Sequence, residues 1–172
     1  DHLQTSNKRF IVEQGGTRSG KTYNILTWII FVYCMQNREK TITICRKHGP
    51  SLRGSSMRDF FDILHKYNLY SEELHSKSLN EYRFMGNLVE FISLDEPQKI
   101  RGRKRDLLFV NEGNEITKED FFQLNIRTID RIIIDYNPSD EYHWIYDDLI
   151  TRDDCDFHIT TYLDNPFLDK QL

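Results

Sequence analysis

Eight consecutive residues, Gly15-Gly16-Thr17-Arg18-Ser19-Gly20-Lys21-Thr22, fit the spacing G-x-x-x-x-G-K-[ST]. Glycines let the backbone curl so that successive N–H groups face one point, and a following helix adds a partial positive charge, so this pattern binds polyphosphate. Lys21 is expected to reach the β- and γ-phosphates of a nucleotide, and the Thr22 hydroxyl to ligate Mg2+. Arg18 either reaches the γ-phosphate from within the loop or faces solvent.

Nucleotide chemistry also needs an acid. The apolar run from Asp106 to Val110 ends in Asn111-Glu112, which places Glu112 beside a γ-phosphate, where it can polarise water. That position suits hydrolysis better than transfer to an acceptor, and Glu115 is the competing carboxylate. Asn111 stands where Asp is usual. It can orient a metal-bound water but adds no charge, so Mg2+ is expected to be held mainly by Thr22 and the phosphates. A third run ends Asp135-Tyr136-Asn137-Pro138. Asn137 is either a contact to the γ-phosphate or part of a plain Asn-Pro turn.

These residues need elements to position them. Phe10 to Gln14 reads as a strand, Thr22 to Asn37 as a buried helix, and Thr41 to Arg46 as a second strand. Ser51 to Tyr67 has the three-and-four spacing of an amphipathic helix. Glu81 to Met85 and Leu88 to Leu94 flank Gly86-Asn87 as a hairpin. Further strands are expected at Asp106 to Asn111, Arg131 to Tyr136 and Phe157 to Tyr162. Strands alternating with helices imply an α/β fold, with a mostly parallel central sheet flanked by helices and an added β-hairpin. Ligands of such sheets sit where strands end and loops begin.

Composition agrees with one domain over residues 1–172. The chain is 38% hydrophobic and 29% charged, and at this length it can bury roughly 70% of the surface its unfolded form exposes. Cys34, Cys45 and Cys155 form no CxxC pair, which argues against a disulfide framework or zinc site and for a reducing, cytosolic setting. The six histidines show no ligand spacing, and the acids at Asp153, Asp154 and Asp156 read as solvated. No apolar run is long enough to span a membrane. The chain starts without Met and stops soon after Asp164-Asn165-Pro166, so it is expected to be a piece of something longer.

The net charge of −4 alone argues against coating nucleic acid. It is strongly segregated, however. Six Lys or Arg against one Glu lie between Arg38 and Arg58, and five against one between Glu96 and Arg105, whereas six acids against Arg152 lie between Glu141 and Asp156.

Taken in order, GGTRSGKT, RKHGPSLRGS with FFDIL, EYRFMGNLVEFISL, IRGRKRDLLFVNEGNEI, DYNP with HWIY, and TYLDNPFL resemble the ATPase domain of a tailed-bacteriophage large terminase. The likeness runs from Phe10 to Leu168, and Asn-Glu in place of Asp-Glu is similar to one terminase branch. The resemblance implies a P-loop NTPase of the additional-strand, catalytic-glutamate type. It further implies an ATP- and Mg2+-dependent motor that packages double-stranded DNA, with Lys21 and Thr22 in Walker A, Asn111 and Glu112 in Walker B, and Asn137 in the coupling motif. The nucleotide would lie against Gly15, Gly16, Thr17, Arg18, Ser19, Gly20, Lys21, Thr22 and Asn137; Gln4 and Gln14 are guesses for the base.

Arg101 matches the position from which some terminases offer an arginine finger to a neighbouring subunit. Arg18 departs by one position from the family's usual loop arginine. The implied partners are DNA, a portal protein, a small terminase subunit and further copies in a ring, commonly a pentamer, in the host cytoplasm. The family's C-terminal nuclease is expected to be absent from this chain. Arg46, Lys47, Arg53, Arg58, Arg103, Lys104 and Arg105 could track DNA phosphates. A helicase-like ATPase and a nucleotide-binding, non-hydrolysing assembly module are the alternatives.

Overall fold

Leu107 to Val110 and Ile132 to Ile134 are wholly buried, because apolar runs without alternation suit strands covered on both faces. In the computed structural model, which describes residues 2–17, 19–138, 143–161 and 164, they form the middle of an eight-stranded sheet. The strands are β1 (Phe10–Gly15), β2 (Thr41–Arg46), β3 (His75–Ser76), β4 (Glu81–Phe84), β5 (Asn87–Ser93), β6 (Arg105–Val110), β7 (Thr128–Tyr136) and β8 (Cys155–Thr160). Their spatial order is β3-β4-β5-β2-β6-β7-β1-β8. All neighbours from β5 to β8 run parallel; β3 and β4 add an antiparallel edge.

The helices are α1 (His2–Thr5), α2 (Lys21–Trp28), α3 (Cys34–Gln36), α4 (Gly49–Gly54), α5 (Ser56–Lys66), α6 (Pro97–Ile100) and α7 (Lys118–Asn125). Alternate strand residues feed two cores. Ile11, Phe109 and Ile133 pack with α2 and α5 on one face, while Val12, Val110 and Ile134 pack with α7 and Leu149 on the other. The three cysteines are free, and burial pushes the thiols of Cys34 and Cys45 up to about 12 and of Cys155 up to about 11.

Several boundaries differ from those expected. The first long helix passes through a π-helical stretch at Ile29–Tyr33 between α2 and α3. The second is two helices, divided at Ser55. The hairpin turn is Met85-Gly86 rather than Gly86-Asn87: both residues are left-handed (φ 51° and 76°), as a two-residue hairpin turn requires. Helix α7 is absent from the expected elements, although Thr117 and Asp120 form its capping box. Tyr162 and most of the closing TYLDNPFL motif lie outside the described residues.

The basic stretches are not uniformly free to meet DNA. Arg105 opens β6 and is 1% exposed, which removes it from any DNA-facing set. Its Nε donates to Thr43 Oγ1 at 3.0 Å, and its Nη1 to the Leu124 carbonyl at 3.3 Å. Thr43 in turn donates to buried Glu90 at 2.6 Å. Arg46 is paired with Glu115, Lys47 with Asp120, and Arg103 with Glu81 and Glu90. Arg53, Arg58 and Lys104 are exposed.

Candidate active site

The phosphate loop joins β1 to α2, with Gly15 ending the strand and Gly16, Thr17, Ser19 and Gly20 between strand and helix; Arg18 lies outside the described residues. Gly20 caps α2 in a left-handed conformation (φ 79°), which a side chain would strain. Lys21 is nearly buried and folds back over the loop. Its Nζ donates to the Gly15 carbonyl (2.7 Å), the Gly16 carbonyl (3.3 Å), Ser19 Oγ (3.2 Å) and Asn137 Oδ1 (2.9 Å). Asn137 therefore meets the loop lysine, more than a plain turn requires. Burial lowers the Lys21 pKa, against the pull of Asp135, Glu112 and Glu13.

Strand β7 lies between β1 and β6, so one strand separates the phosphate loop from Asn111-Glu112. Glu112 has φ 55° and ψ 61°, an uncommon conformation for a side-chain-bearing residue and one found at strained functional positions. Its N–H donates to Asp135 Oδ1 at 2.8 Å. Burial raises the Glu112 pKa; Asp135 adds to this, while Arg46 and Lys21 oppose it. Glu115, the rival acid, is held by Arg46 through two bonds of 2.9 and 3.0 Å.

The tight join after Glu112 makes a prediction. A Cβ on Gly113 would lie 2.4 Å from Ile134 Cγ2. Gly113→Ala is expected to destabilise the fold by about 1–3 kcal/mol in a urea titration, and to cost less than that when introduced into an Ile134→Ala background, where the clashing methyl is gone.

Asp135 is a site residue that reasoning from the sequence misses. It is 1% exposed and accepts from Thr22 Oγ1, from Asn111 Nδ2 at 2.9 and 3.2 Å, and from the Glu112 N–H. Burial raises its pKa, against the hydrogen bonds from Thr22, Glu112 and Asn111. The charge missing at Asn111 thus has a counterpart one strand away. The available signal is an acid ending the all-apolar run Ile132-Ile133-Ile134. Among the described residues no group of three or more His, Cys, Asp or Glu could hold a metal. Hard oxygens from Thr22 and one carboxylate nevertheless fit Mg2+, which commonly takes one or two carboxylates plus phosphates; Asn111 turns its amide nitrogen towards this pair and its Oδ1 towards Ser55.

Beside Lys21 a cavity of about 390 Å³ is lined by His2, Glu13, Asn24 and Trp28. His2 Nε2 contacts Glu13 Oε1. Burial pushes Glu13 up to about 7, helped by Asp135, and lowers His2 to about 4, so near neutrality this is no full ion pair. The folded state keeps the Glu13 proton between about pH 4.5 and 7 while the unfolded state has released it, so this contribution to stability falls as pH rises through that window. The His2 contribution is lost as pH falls from 6.5 towards 4 and opposes it. Glu13→Gln is expected to gain about 1–3 kcal/mol over wild type at pH 8 and much less at pH 5. Thermal melts should show this; a difference constant across pH 5–8 would refute it.

Gln14 Oε1 accepts from Tyr136 OH at 2.7 Å and from Tyr146 OH, so it is committed within the fold, while Gln4 is exposed on α1. Arg101 is exposed four residues before β6. The start of β6 lies about 20 Å along the strand from Glu112, by strand rise. The structure does not bring Arg101 to the site of its own chain.

A phosphate loop on the first strand of a mostly parallel sheet, one strand inserted before Asn111-Glu112, and a glutamate ending that arm define a P-loop NTPase domain of the additional-strand type. Within that class the chain belongs to the phage terminase large subunit family, whose family model matches residues 7–172. The large terminase of a thermophilic bacteriophage (crystal form 2) superposes with a TM-score of 0.78 at 21% identity, covering 96% of this chain and 43% of that one. The same terminase in complex with ATP-γ-S gives 0.74 at 20% identity, covering 95% and 42%. A chain of the bacteriophage Phi-29 viral genome packaging motor assembly gives 0.68 at 15% identity, covering 96% and 58%. The chain thus spans less than half the length of the thermophilic phage's protein. No curated protein sequence matches it. Among the described residues no helix is long and apolar enough to cross a membrane.

Proposed function

We propose that this chain is the motor domain of a terminase large subunit, hydrolysing ATP with Mg2+ to drive double-stranded DNA into a procapsid. One arrangement carries the reading: Lys21, Thr22, Asn111, Glu112 and Asn137 meet where β1, β6 and β7 end. The thermophilic phage's large terminase, which shares the fold, has been crystallised with ADP and with ATP-γ-S. The likeness to the Phi-29 packaging motor supports the DNA-driving role.

In this reading, loop N–H groups, Lys21 and the end of α2 bind the phosphates. Glu112 takes a proton from water as its oxygen bonds to the γ-phosphorus and the bond to the β–γ bridging oxygen breaks, releasing ADP and phosphate. Its raised pKa makes it a stronger base than an ordinary surface glutamate. Mg2+, when bound, would neutralise charge on the phosphates; Thr22 is proposed to hold it, with Asn111 as a neutral polar neighbour. Asn137 responds to the phosphates through Lys21. Arg101 serves the neighbouring site in a ring, proposed as a pentamer, with portal protein and small terminase subunit as partners in the host cytoplasm. DNA contact falls to exposed cations such as Arg53, Arg58 and Lys104, and no nuclease step is assigned to this chain.

The test is phosphate release from ATP by purified protein with DNA and portal present. Binding of ATP-γ-S with no release of phosphate from ATP would support a non-hydrolysing assembly module instead. Arg101→Ala is expected to lower turnover under conditions of assembly; an equal loss in dilute monomer would place Arg101 in its own site.

A further inference from the structure

The site has an acid that its motifs do not predict and lacks the acid that they do. Position 111, at the end of β6, carries an uncharged amide. The last paired residues of β6 and β7 are Val110 and Ile134, so Asn111 and Asp135 are the next residues along two adjoining parallel strands. Their side chains meet, with Asn111 Nδ2 2.9 Å from Asp135 Oδ1. Asp135 also accepts the Thr22 hydroxyl, the group through which a phosphate loop binds a cation. A threonine that gives its proton to a carboxylate keeps its oxygen lone pairs as acceptors: one takes a long bond from Asn111 Nδ2 at 3.3 Å, and the other is left for a metal.

The other acids near the loop are otherwise placed. Glu115 is held by Arg46 and Glu13 contacts His2. Glu112 is set on a left-handed residue past the end of β6. Resting on the nucleotide-site reading above, we infer that Asp135 is the acid through which this site holds its divalent cation, a role moved from the end of β6 to the end of β7. Asn111 then acts as its neutral partner. It donates to Asp135 while its own Oδ1 lies 3.2 Å from Ser55 Oγ, which in turn accepts from Arg46 at 2.8 Å. One negative charge is thus shared between two strands, with an amide filling the place it vacated.

The test exchanges the two groups. ATP-γ-S binding is measured with and without Mg2+, and Mn2+ binding to the nucleotide complex is followed by electron paramagnetic resonance. Asp135→Asn is expected to weaken Mn2+ binding to the nucleotide complex by about 10–100-fold. The swap N111D/D135N restores one carboxylate to the same pair of positions and is expected to recover most of that loss. A folded Asp135→Asn protein with wild-type Mn2+ binding would overturn the inference, as would a folded swap that recovers nothing. If Asp135→Asn does not fold, the swap alone decides. Failure of the wild-type protein to bind ATP-γ-S at all would overturn the nucleotide reading itself, a different result from either.

Discussion

Glu112→Gln is expected to lower phosphate release by about 10²–10⁴-fold while ATP-γ-S still binds, because the amide keeps the shape of the side chain and cannot accept a proton from water. The prediction depends on Glu112 having no substitute. Glu115 is the only other acid in that turn, and its two bonds to Arg46 commit it. The left-handed backbone at Glu112, about 1–3 kcal/mol of local strain, is fixed by the bond from its N–H to Asp135. Gln should therefore occupy the same place. Since burial raises the Glu112 pKa, wild-type turnover should climb with pH as the carboxyl ionises, and the residual rate of the variant should lack that rise. Steady-state turnover beside a binding titration measures both; a variant with wild-type turnover would remove Glu112 from the chemistry.

The second large effect is on stability. Arg105→Ala is expected to cost about 3–5 kcal/mol, since it removes one member of a buried charged network and leaves Glu90 with only Thr43 and the more exposed Arg103. Arg105 ties the start of β6 to Thr43 on β2 and to the Leu124 carbonyl near the end of α7, joining three elements through one side chain. Burial lowers its own pKa, a sign that the guanidinium meets an environment that disfavours charge. In a chain of this size each kcal/mol moves the melting temperature by roughly 2–4 °C, so a fall of about 6–20 °C is expected in calorimetry. R105M/E90Q, which removes both charges and keeps most of the volume, should regain part of the loss. A single variant melting like wild type would show that the network contributes nothing.

Much of this arrangement is legible in the residues themselves, and the exceptions share a cause. The phosphate loop, Asn111-Glu112 and Asn137 each announce themselves within a few residues, because a strand end followed by polar groups is a local pattern. Asp135 does not. It earns its place by standing next to Asn111 across a strand pair, and a separation of 24 positions hides that pairing. Arg105 groups with Arg101, Arg103 and Lys104 when charges are counted, because the four are close in sequence. The strand boundary between Lys104 and Arg105 turns the last of them inward, and charge counting alone does not see that boundary. Ser55 breaks the expected long helix for a similar reason: its contacts with Arg46 and Asn111 come from other elements. Helix α7 is the one local signal overlooked, since Thr117 and Asp120 stand at capping-box spacing in the sequence.

The buried thiols have a practical consequence. Reactivity towards maleimides and other electrophiles follows the thiolate and access to it; burial raises all three thiols, and Cys34 and Cys45 are buried while Cys155 is half-buried. The folded domain is therefore expected to label slowly, and at Cys155 first, without removal of any native residue. A single cysteine introduced on an exposed position such as Lys104 would take a dye or spin label ahead of the native thiols, giving a direct optical or magnetic view of the basic loop, including in the proposed ring on DNA.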